Sequence, residues 1–598
     1  MTETDTLLDT AFAAYNQHQF DMAEEIVRDI LTVTPTNGDA LYLLGLIAYR
    51  SNALEPAEKL LYEAVKLYPQ SQQYALALAG VLQKAGRLDE ALSFYEKYKE
   101  IPLVLSQIGY IYLQKGQNDF AKSAFDEALS RDSHCLNALI GQALLARQEK
   151  DNEKALLILK KAQTLDVSDS ELFYQLAVQN RLCGNYQEAL KAISQALSIF
   201  KTAAFLNEKG LILEKLDLDA SAQEAYEEAI EQDLYAPDAF ANLGNLYLKQ
   251  ENYRRAEEYY KKALALDTEF LNAHHNLAIA LCKQDRKAEG LEHYRAALLI
   301  NPRHISTLYN LAMILEEMGD YSEAAGLYFN ILTLKSHPDM IDFRIANTLA
   351  SLSEKDKKSR KEALDFAQGW VKHFPENQIA IHTLNALKHD RKSDVSNESY
   401  VQQLFDAFAA TYDETMKRLE SQALTQTIHY LDILPDKKFK NVLDLACGTG
   451  LFANMFHQEF ETLTGVDISE KMLAVAREKN RYTMLVHQDV LSFLKADEKV
   501  YDLIIAVELT NYLSDIDSFM AQMTPHLTEK GLCLMTIETA ENQDVFLSAQ
   551  GRYLYRRSYV ESLAKKQGLS VLYEHDFDLR KEGQGVAAGT LFCFQKLV

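Results

Sequence analysis

The chain has 598 residues, of which 47% are hydrophobic, and its formal net charge is -24 at neutral pH. This length exceeds the size at which one hydrophobic core keeps growing, so several domains or a repeat array are expected. The negative charge argues against a general nucleic-acid binder, because phosphates must be neutralised by clustered Lys and Arg side chains.

The cysteines and the N-terminal segment bear on the cellular compartment. The cysteines lie far apart and form no C-x-x-C pair, which predicts neither a disulfide framework nor a zinc site and favours a reducing compartment. Residues 1–17 are acidic and polar, unlike a secretory signal, and no apolar run is long enough to span a bilayer. We therefore expect a cytoplasmic protein with no bound metal. The six cysteines are Cys135, Cys183, Cys282, Cys447, Cys533 and Cys593.

A step of 34 residues organises the first two thirds of the chain. A small residue at this step is followed four residues later by an apolar or aromatic residue and usually by another Ala, as in Ala256, Tyr260 and Ala263. These offsets share one helical face, where small residues allow a second helix to approach. The pattern predicts about eleven antiparallel helix pairs over residues 5–375, followed by a closing helix. The small residues are Ala23, Ala57, Ala91, Ala121, Ala155, Ala189, Ala222, Ala256, Gly290 and Ala324.

Two units, residues 42–69 and 240–267, carry the small, aromatic, Ala pattern most completely. They resemble the tetratricopeptide repeat family, in which stacked helix pairs form a superhelix with a concave partner groove. The resemblance implies an all-α superhelix over residues 1–389 that binds a protein or a peptide.

Asn242, Asn276 and Asn310 occupy the same position in three successive units. In the family this position faces the groove, so the resemblance implies an amide ladder that holds an extended peptide backbone. An alternative stays open, in which asparagine simply suits the interior of the superhelix. A clamp for a C-terminal carboxylate is not expected, because Ser306 and Asn310 stand where that clamp needs basic residues.

The character of the sequence changes at residues 390–399, which are polar and lack helical periodicity and therefore predict a linker. Beyond it, short apolar runs alternate with helix-length stretches, which predicts βαβ units around a parallel sheet. The last two of the seven predicted strands are joined by the short connector RKEGQGVAAG, so they should be antiparallel. Residues 400–598 thus resemble the Rossmann-like α/β fold of class I S-adenosylmethionine-dependent methyltransferases.

Acidic residues fall at the predicted carboxyl ends of the first four strands, the edge at which open α/β sheets bind ligands. Gly448 and Gly450 allow a cofactor to approach the first loop closely. The segment GTGLFA also fits a dinucleotide pattern, but a carboxylate just before it repels a pyrophosphate and favours a sulfonium and an ammonium group. The sequence therefore favours S-adenosylmethionine over NAD. The four acidic residues are Asp444, Asp467, Asp489 and Glu508.

Two of these acids have expected partners on the cofactor. Asp467 can accept from both ribose hydroxyls and Asp489 from the adenine amino group, with Ile468 and Val490 beside them. Each acid taken alone could also be an ordinary helix N-cap. The family resemblance carries Asp444, Gly448 and Gly450 to its first motif and Asp467 to its ribose-binding acid, while Ala446 stands where the family usually has Gly.

Residues 404–416, LFDAFAATYDETM, resemble the leading helix of small-molecule methyltransferases. There the tyrosine, here Tyr412, lies across the cofactor; the alternative is an amphipathic helix that covers the sheet edge. Glu508 and Tyr512 are the candidates for a catalytic base, which is required only if the acceptor is protonated. We expect His526 at the surface. Further candidate pocket residues are Asn511, Glu538, Arg552 and Tyr553.

The sequence thus predicts an S-adenosylmethionine-dependent methyltransferase whose array binds a protein partner or a peptide substrate. Residues 551–569, together with the final hairpin, resemble a group of bacterial predicted methyltransferases that carry N-terminal tetratricopeptide repeats. Two other functions stay open: a small-molecule methyltransferase with a docking module, and a scaffold whose second domain only senses the cofactor.

Overall fold

A computed structural model describes residues 3–17, 19–165, 168–334, 337–338, 340–390, 397–434, 438–582 and 585–597. The chain forms two compact units, Met1–Ala280 and Leu281–Val598. The predicted division at residues 390–399 stays a prediction, because residues 391–396 lie outside the described residues.

The first unit is built from helices that follow one another in pairs. Tight turns close the pairs through one residue in the left-handed region, for example Gly116 at φ 69° and Glu251 at φ 58°. The helices are α1 (Glu3–Asn16), α2 (Phe20–Val33), α3 (Gly38–Arg50), α4 (Leu54–Leu67), α5 (Gln72–Lys84), α6 (Leu88–Tyr95), α7 (Pro102–Gln114), α8 (Asn118–Arg131), α9 (Leu136–Gln148), α10 (Asn152–Gln163), α11 (Ser170–Leu182), α12 (Tyr186–Ile199), α13 (Ala203–Lys215), α14 (Asp219–Gln232), α15 (Pro237–Lys249), α16 (Tyr253–Leu266) and α17 (Leu271–Lys283), which crosses the unit boundary.

The predicted small and aromatic residues form the packed face of these pairs. Ala256, Tyr260 and Ala263 are fully buried. A Cβ atom placed on Gly244 would lie 2.8 Å from Cε1 of Tyr260, so the ring occupies the space that the missing side chain leaves. The small residue on one helix and the ring on the next therefore act as one packing unit.

We expect Gly244→Ala to lower the free energy of unfolding by about 1–3 kcal/mol, because the added methyl overpacks against a buried ring. The matched control is Gly80→Ala in α5, where the nearest non-neighbouring heavy atom would be the hydroxyl oxygen of Tyr95 at 3.8 Å. This control should be neutral or slightly stabilising, since Ala suits a helix better than Gly. Urea unfolding followed by far-UV circular dichroism compares the two variants, and equal effects would contradict the packing argument.

The second unit begins with the remaining helices of the array. With α17 they bring the described helix pairs to eleven, followed by one closing helix, which confirms the predicted all-α repeat region. The charged stretch at residues 352–363 covers the end of α21 and the start of α22, which have 15 and 17 residues. These helices are α18 (Lys287–Ile300), α19 (Ile305–Glu317), α20 (Tyr321–Leu332), α21 (Ile341–Lys355), α22 (Lys357–His373) and α23 (Gln378–Lys388).

The rest of the second unit alternates strands and helices. Its helices are α24 (Asn397–Phe408), α25 (Tyr412–Arg418), α26 (Ala423–Ile433), α27 (Leu451–Met455), α28 (Glu470–Lys479), α29 (Val490–Ala496), α30 (Ile516–Met523) and α31 (Arg557–Lys566). Its strands are β1 (Asn441–Leu445), β2 (Thr462–Asp467), β3 (Met484–His487), β4 (Tyr501–Ala506), β5 (Leu527–Glu538), β6 (Val545–Leu547), β7 (Tyr553–Tyr555), β8 (Leu569–Glu582) and β9 (Gly585–Lys596). Short 3-10 turns cover Ala409–Thr411, Thr510–Tyr512 and Thr524–His526.

One seven-stranded sheet has the order β3-β2-β1-β4-β5-β9-β8. The first five strands in the chain pair in parallel, and β9 pairs antiparallel with both β5 and β8, which confirms the predicted α/β sheet and its final hairpin. The strands β1 and β4 are adjacent, with β2 on the far side of β1 and β5 on the far side of β4. The strand order therefore reverses between β1 and β4, and the carboxyl ends of these two strands form the switch point at which such sheets bind ligands.

Three details differ from the sequence analysis. The predicted connector before the last strand is mostly strand, because β8 continues to Glu582 and β9 begins at Gly585. The small sheet of β6 and β7 is too short to leave a periodic pattern. His526 is buried rather than at the surface, because its ring nitrogens lie 2.9 and 2.8 Å from the carbonyl oxygens of Lys499 and Leu494.

No helix among the described residues is long and apolar enough to cross a bilayer.

Candidate functional site

A cavity of about 480 Å³ lies at the carboxyl ends of the parallel strands. Its volume falls within the range of roughly 300–1,000 Å³ that is usual for small-molecule sites. Most of the residues predicted for the site line it together: Tyr412, Ala446, Gly448, Asp467, Ile468, Asp489, Val490, Glu508, Asn511, Tyr512 and Arg552. The described lining does not include Asp444, Gly450, Glu538 or Tyr553.

The loop after β1 is held in an unusual backbone conformation. Ala446, Gly448 and Gly450 have φ values of 57°, 54° and 80°. Glycine adopts this left-handed region freely, whereas a residue with a Cβ atom pays roughly 1–2 kcal/mol. The loop therefore carries local strain at Ala446, at the position where the sequence departs from the family pattern.

Asp467, the last residue of β2, joins this loop to the start of α28. Its Oδ2 accepts from the backbone N–H of Gly448 at 2.8 Å, and its Oδ1 accepts from the N–H of Ser469 at 2.9 Å. Burial raises the pKa of this carboxyl, and the two backbone hydrogen bonds oppose that effect. The side chain thus presents a fixed pair of acceptor oxygens on the wall of the cavity.

Asp444 lies deeper, in β1. Its Oδ2 accepts from the hydroxyl of Tyr482 at 2.6 Å. Burial is the main reason that the pKa of Asp444 is raised to about 7, and the Tyr482 hydrogen bond opposes it. The same ring explains the second glycine, because a Cβ on Gly450 would lie 3.0 Å from Cε2 of Tyr482. Tyr482 was not identified from the sequence, since it precedes β3 and carries no motif of its own.

Asp489 is a helix N-cap that also lines the cavity, and its contact with the adenine amino group stays a prediction. It lines the cavity, and its Oδ2 also accepts from the N–H of Ser492 at 2.8 Å as the N-cap of α29. Ser469 likewise caps α28 by accepting from the N–H of Met472 at 3.1 Å. Capping fixes the two helix starts on either side of the cavity.

The cover helices α24 and α25 are tied to the two ends of α28, the helix that follows β2. Oγ of Ser469 donates to Asp406 at 2.6 Å, and Nζ of Lys479 lies 2.7 Å from Asp413. Tyr412, at the start of α25, lines the cavity, and burial raises its pKa well above the usual value. The ring of Phe405 packs edge-on against Tyr412 and Tyr512, with centroid distances of 6.2 and 5.1 Å.

A buried network of charges closes another side of the cavity. Nη1 of Arg580 lies 3.1 Å from Glu508, its Nη2 contacts Glu538, and Nε of Arg552 lies 3.0 Å from Glu538. The negative charges of the two carboxylates are therefore balanced by the positive charges of the two guanidinium groups. Burial raises the pKa of Glu508, and the charge of Arg580 is the largest opposing influence. Arg580 was missed because it stands in the segment that the sequence analysis assigned to a connector.

Of the two candidate bases, Glu508 is held by this network, whereas Tyr512 lines the same cavity and packs against the ring of Phe405. Burial raises the pKa of Tyr512, while Arg552 and Arg580 oppose the shift. Glu508 has a left-handed backbone, with φ at 55°, and its N–H donates to Oγ1 of Thr536 at 2.8 Å. Strain of this kind is common at ligand sites. Tyr553 is fully buried within β7.

The last helices of the array also line the cavity, which the sequence analysis did not predict. They contribute Phe343 and Asn347 from α21 and His382 from α23. The Nε2 atom of His382 lies 3.0 Å from the carbonyl oxygen of Gly551, and its ring stacks on Tyr400 with centroids 3.9 Å apart. The closing helix therefore packs on the β6–β7 turn and on α24, and no local pattern could have indicated these distant partners.

In the first unit, the predicted ladder residues Asn242 and Asn276 belong to a chain of amides. Nδ2 of Asn242 donates to Asn207 at 3.0 Å, and Nδ2 of Asn276 donates to Asn245 at 2.7 Å. Asn245 also accepts from the hydroxyl of Tyr260 at 2.8 Å. In the second unit, Asn310 hydrogen-bonds Tyr294. Both interpretations of the ladder therefore stay open, since the amides are half-exposed but also bond to the array itself.

Comparisons with protein families match separate segments of the chain. A family described as "Methyltransferase domain" matches residues 442–531. Families described as "Tetratricopeptide repeat" match residues 107–169, 237–270 and 307–339. A family described as "Anaphase-promoting complex, cyclosome, subunit 3" matches residues 16–98.

Similar proteins match parts of the chain. A TPR repeat-containing protein of Methanocaldococcus jannaschii is 31% identical over 262 residues, which cover 40% of this chain and 46% of that protein. An uncharacterized methyltransferase of Bacillus cytotoxicus is 28% identical over 28% of this chain and 90% of its own length. The putative methyltransferase YqeM of Bacillus subtilis is 27% identical over 23% of this chain and 56% of its own length. The chain thus spans about half the length of the first and third of these relatives.

Among solved structures, YrrB, described as a TPR protein with an unusual peptide-binding site, is 21% identical, with a TM-score of 0.25. The match covers 31% of this chain and 97% of YrrB.

Proposed function

We propose that this chain, in which tetratricopeptide repeats precede a methyltransferase domain, transfers a methyl group from S-adenosylmethionine to an acceptor. The observation that supports this most is the cavity lined by Asp467, Asp489 and Glu508 beside the left-handed loop at Gly448. Carboxylates at this edge favour a cationic cofactor, whereas a dinucleotide would bring an anionic pyrophosphate.

The residues present fit this cofactor. Asp467 would hold the ribose hydroxyls and Asp489 the adenine amino group, with Ile468 and Val490 beside the ring. The glycines of the loop leave room for close approach, and Tyr412 would cover the site. When bound, the cofactor supplies an electrophilic methyl group on a cationic sulfur.

The protein's part in the reaction is alignment and exclusion of water. The cover helices are fixed to the two ends of α28 by Asp406 and Asp413, so they can order the acceptor and shield it. Glu508 would accept the proton that the N–H or O–H group of the acceptor releases, since its raised pKa brings it closer to the working range of a base.

We further propose that the repeat array binds a protein or a peptide, as substrate or as docking partner. The half-exposed amides of Asn242 and Asn276 support a groove that recognises an extended backbone. A second candidate is a small-molecule acceptor, with the array serving only for docking. The cavity favours it, because helices α21, α23 and α24 of the same chain close around it.

Tritiated S-adenosylmethionine, incubated with the purified chain and an extract from cells that lack its gene, tests these proposals. Label in a protein band supports a protein substrate, and label only in small molecules or lipids supports the second candidate. Calorimetry with unlabelled cofactor is the companion measurement. Absence of binding would overturn the proposed methyl transfer, and binding without any transfer would support a sensor.

The pKa of Asp444 predicts how cofactor binding depends on pH. Below about 7 the buried carboxyl is protonated and neutral, whereas a cationic sulfonium nearby favours its ionised form. We therefore expect S-adenosylmethionine to bind more tightly as the pH rises through 7, by up to about tenfold per pH unit below the pKa. Calorimetric titrations of wild type and Asp444→Asn check this, and the variant should bind with less dependence on pH. An unchanged pH profile in the variant would contradict the assignment.

A further inference from the structure

Asn511 contributes a buried polar side chain to the lining of the cavity. It lies in the 3-10 turn after β4, the residue is 2% exposed, and it lines the cavity. Its Oδ1 atom is among the few buried side-chain atoms of the described residues that lack a hydrogen-bond partner. Buried polar atoms without partners are rare, because their desolvation is not compensated. Because Asn511 lines the cavity, a molecule bound there can bring a donor to this oxygen when the amide turns toward it.

An apolar surface lines another part of the same cavity. Phe343 of α21 contacts Tyr400 and Phe408 of α24, with ring centroids 6.1 and 6.4 Å apart. Leu404, which also belongs to α24, lines the cavity with them. We call these four residues the aromatic slot. Such surfaces favour apolar and aromatic groups of a ligand, because burying them removes apolar area from water.

The charges beside Asn511 restrict the polar part of the ligand. The carboxylate of Glu508 is an acceptor, and the guanidinium groups of Arg580 and Arg552, which also line the cavity, are already paired with Glu508 and Glu538. A carboxylate in the ligand would meet the Asn511 oxygen and Glu508 as further acceptors. A ligand group with an N–H or O–H donor can instead donate a hydrogen bond to the Asn511 oxygen or to the Glu508 carboxylate.

We propose that this cavity binds, beside the cofactor, a methyl acceptor that has an apolar body and an N–H or O–H group, with the body against the aromatic slot and the donor on Oδ1 of Asn511. The role of this ligand as methyl acceptor rests on the proposed methyl transfer, whereas the binding preference does not. Repeat helix α21 thereby takes part in selecting the substrate.

Four probes that share one phenyl ring test the preference. Benzamide and benzyl alcohol carry donors, benzoate carries acceptors only, and toluene carries neither. Each is titrated by ligand-observed NMR into the full chain, with and without S-adenosylhomocysteine. Wild type should bind the two donor probes at least about fivefold more tightly than the other two. Equal affinities, tighter binding of benzoate, or no binding of any probe would overturn the proposal.

Variants of Asn511 separate recognition from structure. Asn511→Leu should remove the preference for donors, while Asn511→Asp, which keeps an acceptor oxygen, should retain it. Asn511→Leu should also leave Tm unchanged or raise it, since an uncompensated amide is replaced by an apolar group of similar size. A fall in Tm together with an unchanged probe order would mean that Asn511 is only structural.

Ala346 of α21, which also lines the cavity, tests the slot independently. Ala346→Trp should abolish binding of all four probes but keep binding of S-adenosylhomocysteine. Lys361→Trp on the exposed side of α22 is the control, and it should change neither. If wild type binds the donor probes selectively but does not bind S-adenosylhomocysteine, the proposed methyl transfer fails and the binding preference stands. If probe binding survives Ala346→Trp, the slot assignment fails.

Discussion

Asp467→Asn is expected to weaken binding of S-adenosylhomocysteine by about a hundredfold or more. The carboxylate accepts from the backbone N–H groups of Gly448 and Ser469 at once. These two hydrogen bonds orient both of its oxygens and favour its ionised form. Asparagine keeps one acceptor oxygen, but its NH2 group replaces the other oxygen and would face a backbone N–H or a ribose hydroxyl. Two hydrogen bonds to a charged group, at about 1.5 kcal/mol or more each, give this magnitude. Calorimetry measures it directly.

Asp502→Asn is a matched control. Oδ2 of Asp502 also accepts two backbone N–H groups, from Lys440 and Asn441 at 2.9 and 3.0 Å, but at the amino end of β1. This variant should lose some stability and keep its affinity for the cofactor product. Equal loss of affinity in the two variants would mean that Asp467 matters to the fold of the sheet rather than to the ligand.

The array and the sheet could be predicted because their signals are local. A small residue and a ring four positions later lie on one helical face, as Ala256 and Tyr260 do, so a fixed period reveals each pair. The strands of the sheet are apolar runs between helices, and the shortness of the last connection fixes the antiparallel end. In each case residues close in sequence determine the element.

The site was predictable only in part, for the opposite reason. Asp467 ends a strand, Asp489 and Glu508 follow strands, and their meeting at one edge is a property of parallel sheets. Tyr482 and Arg580 reach the same region from distant segments, and Phe343 reaches it from the repeat array. Such contacts depend on tertiary packing, which leaves no spacing to read in one sequence.

The role of Asp444 toward the cofactor stays a prediction. The sequence placed it at the end of β1, and the structure agrees, yet its carboxylate faces Tyr482 rather than the described lining of the cavity. A strand residue at an edge can point to either face of the sheet. Its influence on a cofactor would therefore be electrostatic, whereas that of Asp467 would be a direct hydrogen bond.

Arg580→Met is expected to lower the free energy of unfolding of the second unit by about 3–5 kcal/mol, because it leaves two buried carboxylates without their shared partner. Arg580 is 8% exposed and contacts both Glu508 and Glu538. Urea unfolding can be followed by the fluorescence of Trp370, which is the single tryptophan of the chain and is buried in α22 of that unit.

Arg557→Met provides the matched control for Arg580→Met. Arg557 also lies between two carboxylates, 2.8 Å from Glu574 and 2.8 Å from Asp576, but its side chain is 47% exposed. Exposed ion pairs contribute about 0–1 kcal/mol, so this variant should be nearly neutral. A similar loss in both variants would contradict the argument that burial makes Arg580 important.

The deficit of Arg580→Met should also depend on pH. Arg580 lowers the pKa of Glu508 against the effect of burial, so its removal raises that pKa further. A carboxyl whose pKa is higher in the folded than in the unfolded protein takes up its proton on folding, and the protein loses stability as the pH rises above the unfolded value of about 4.3. The difference from wild type should therefore be smaller near about pH 5 than near about pH 8. A deficit that is the same at both pH values would mean that the lost packing of the arginine side chain, and not the uncompensated charge of Glu508, dominates the cost.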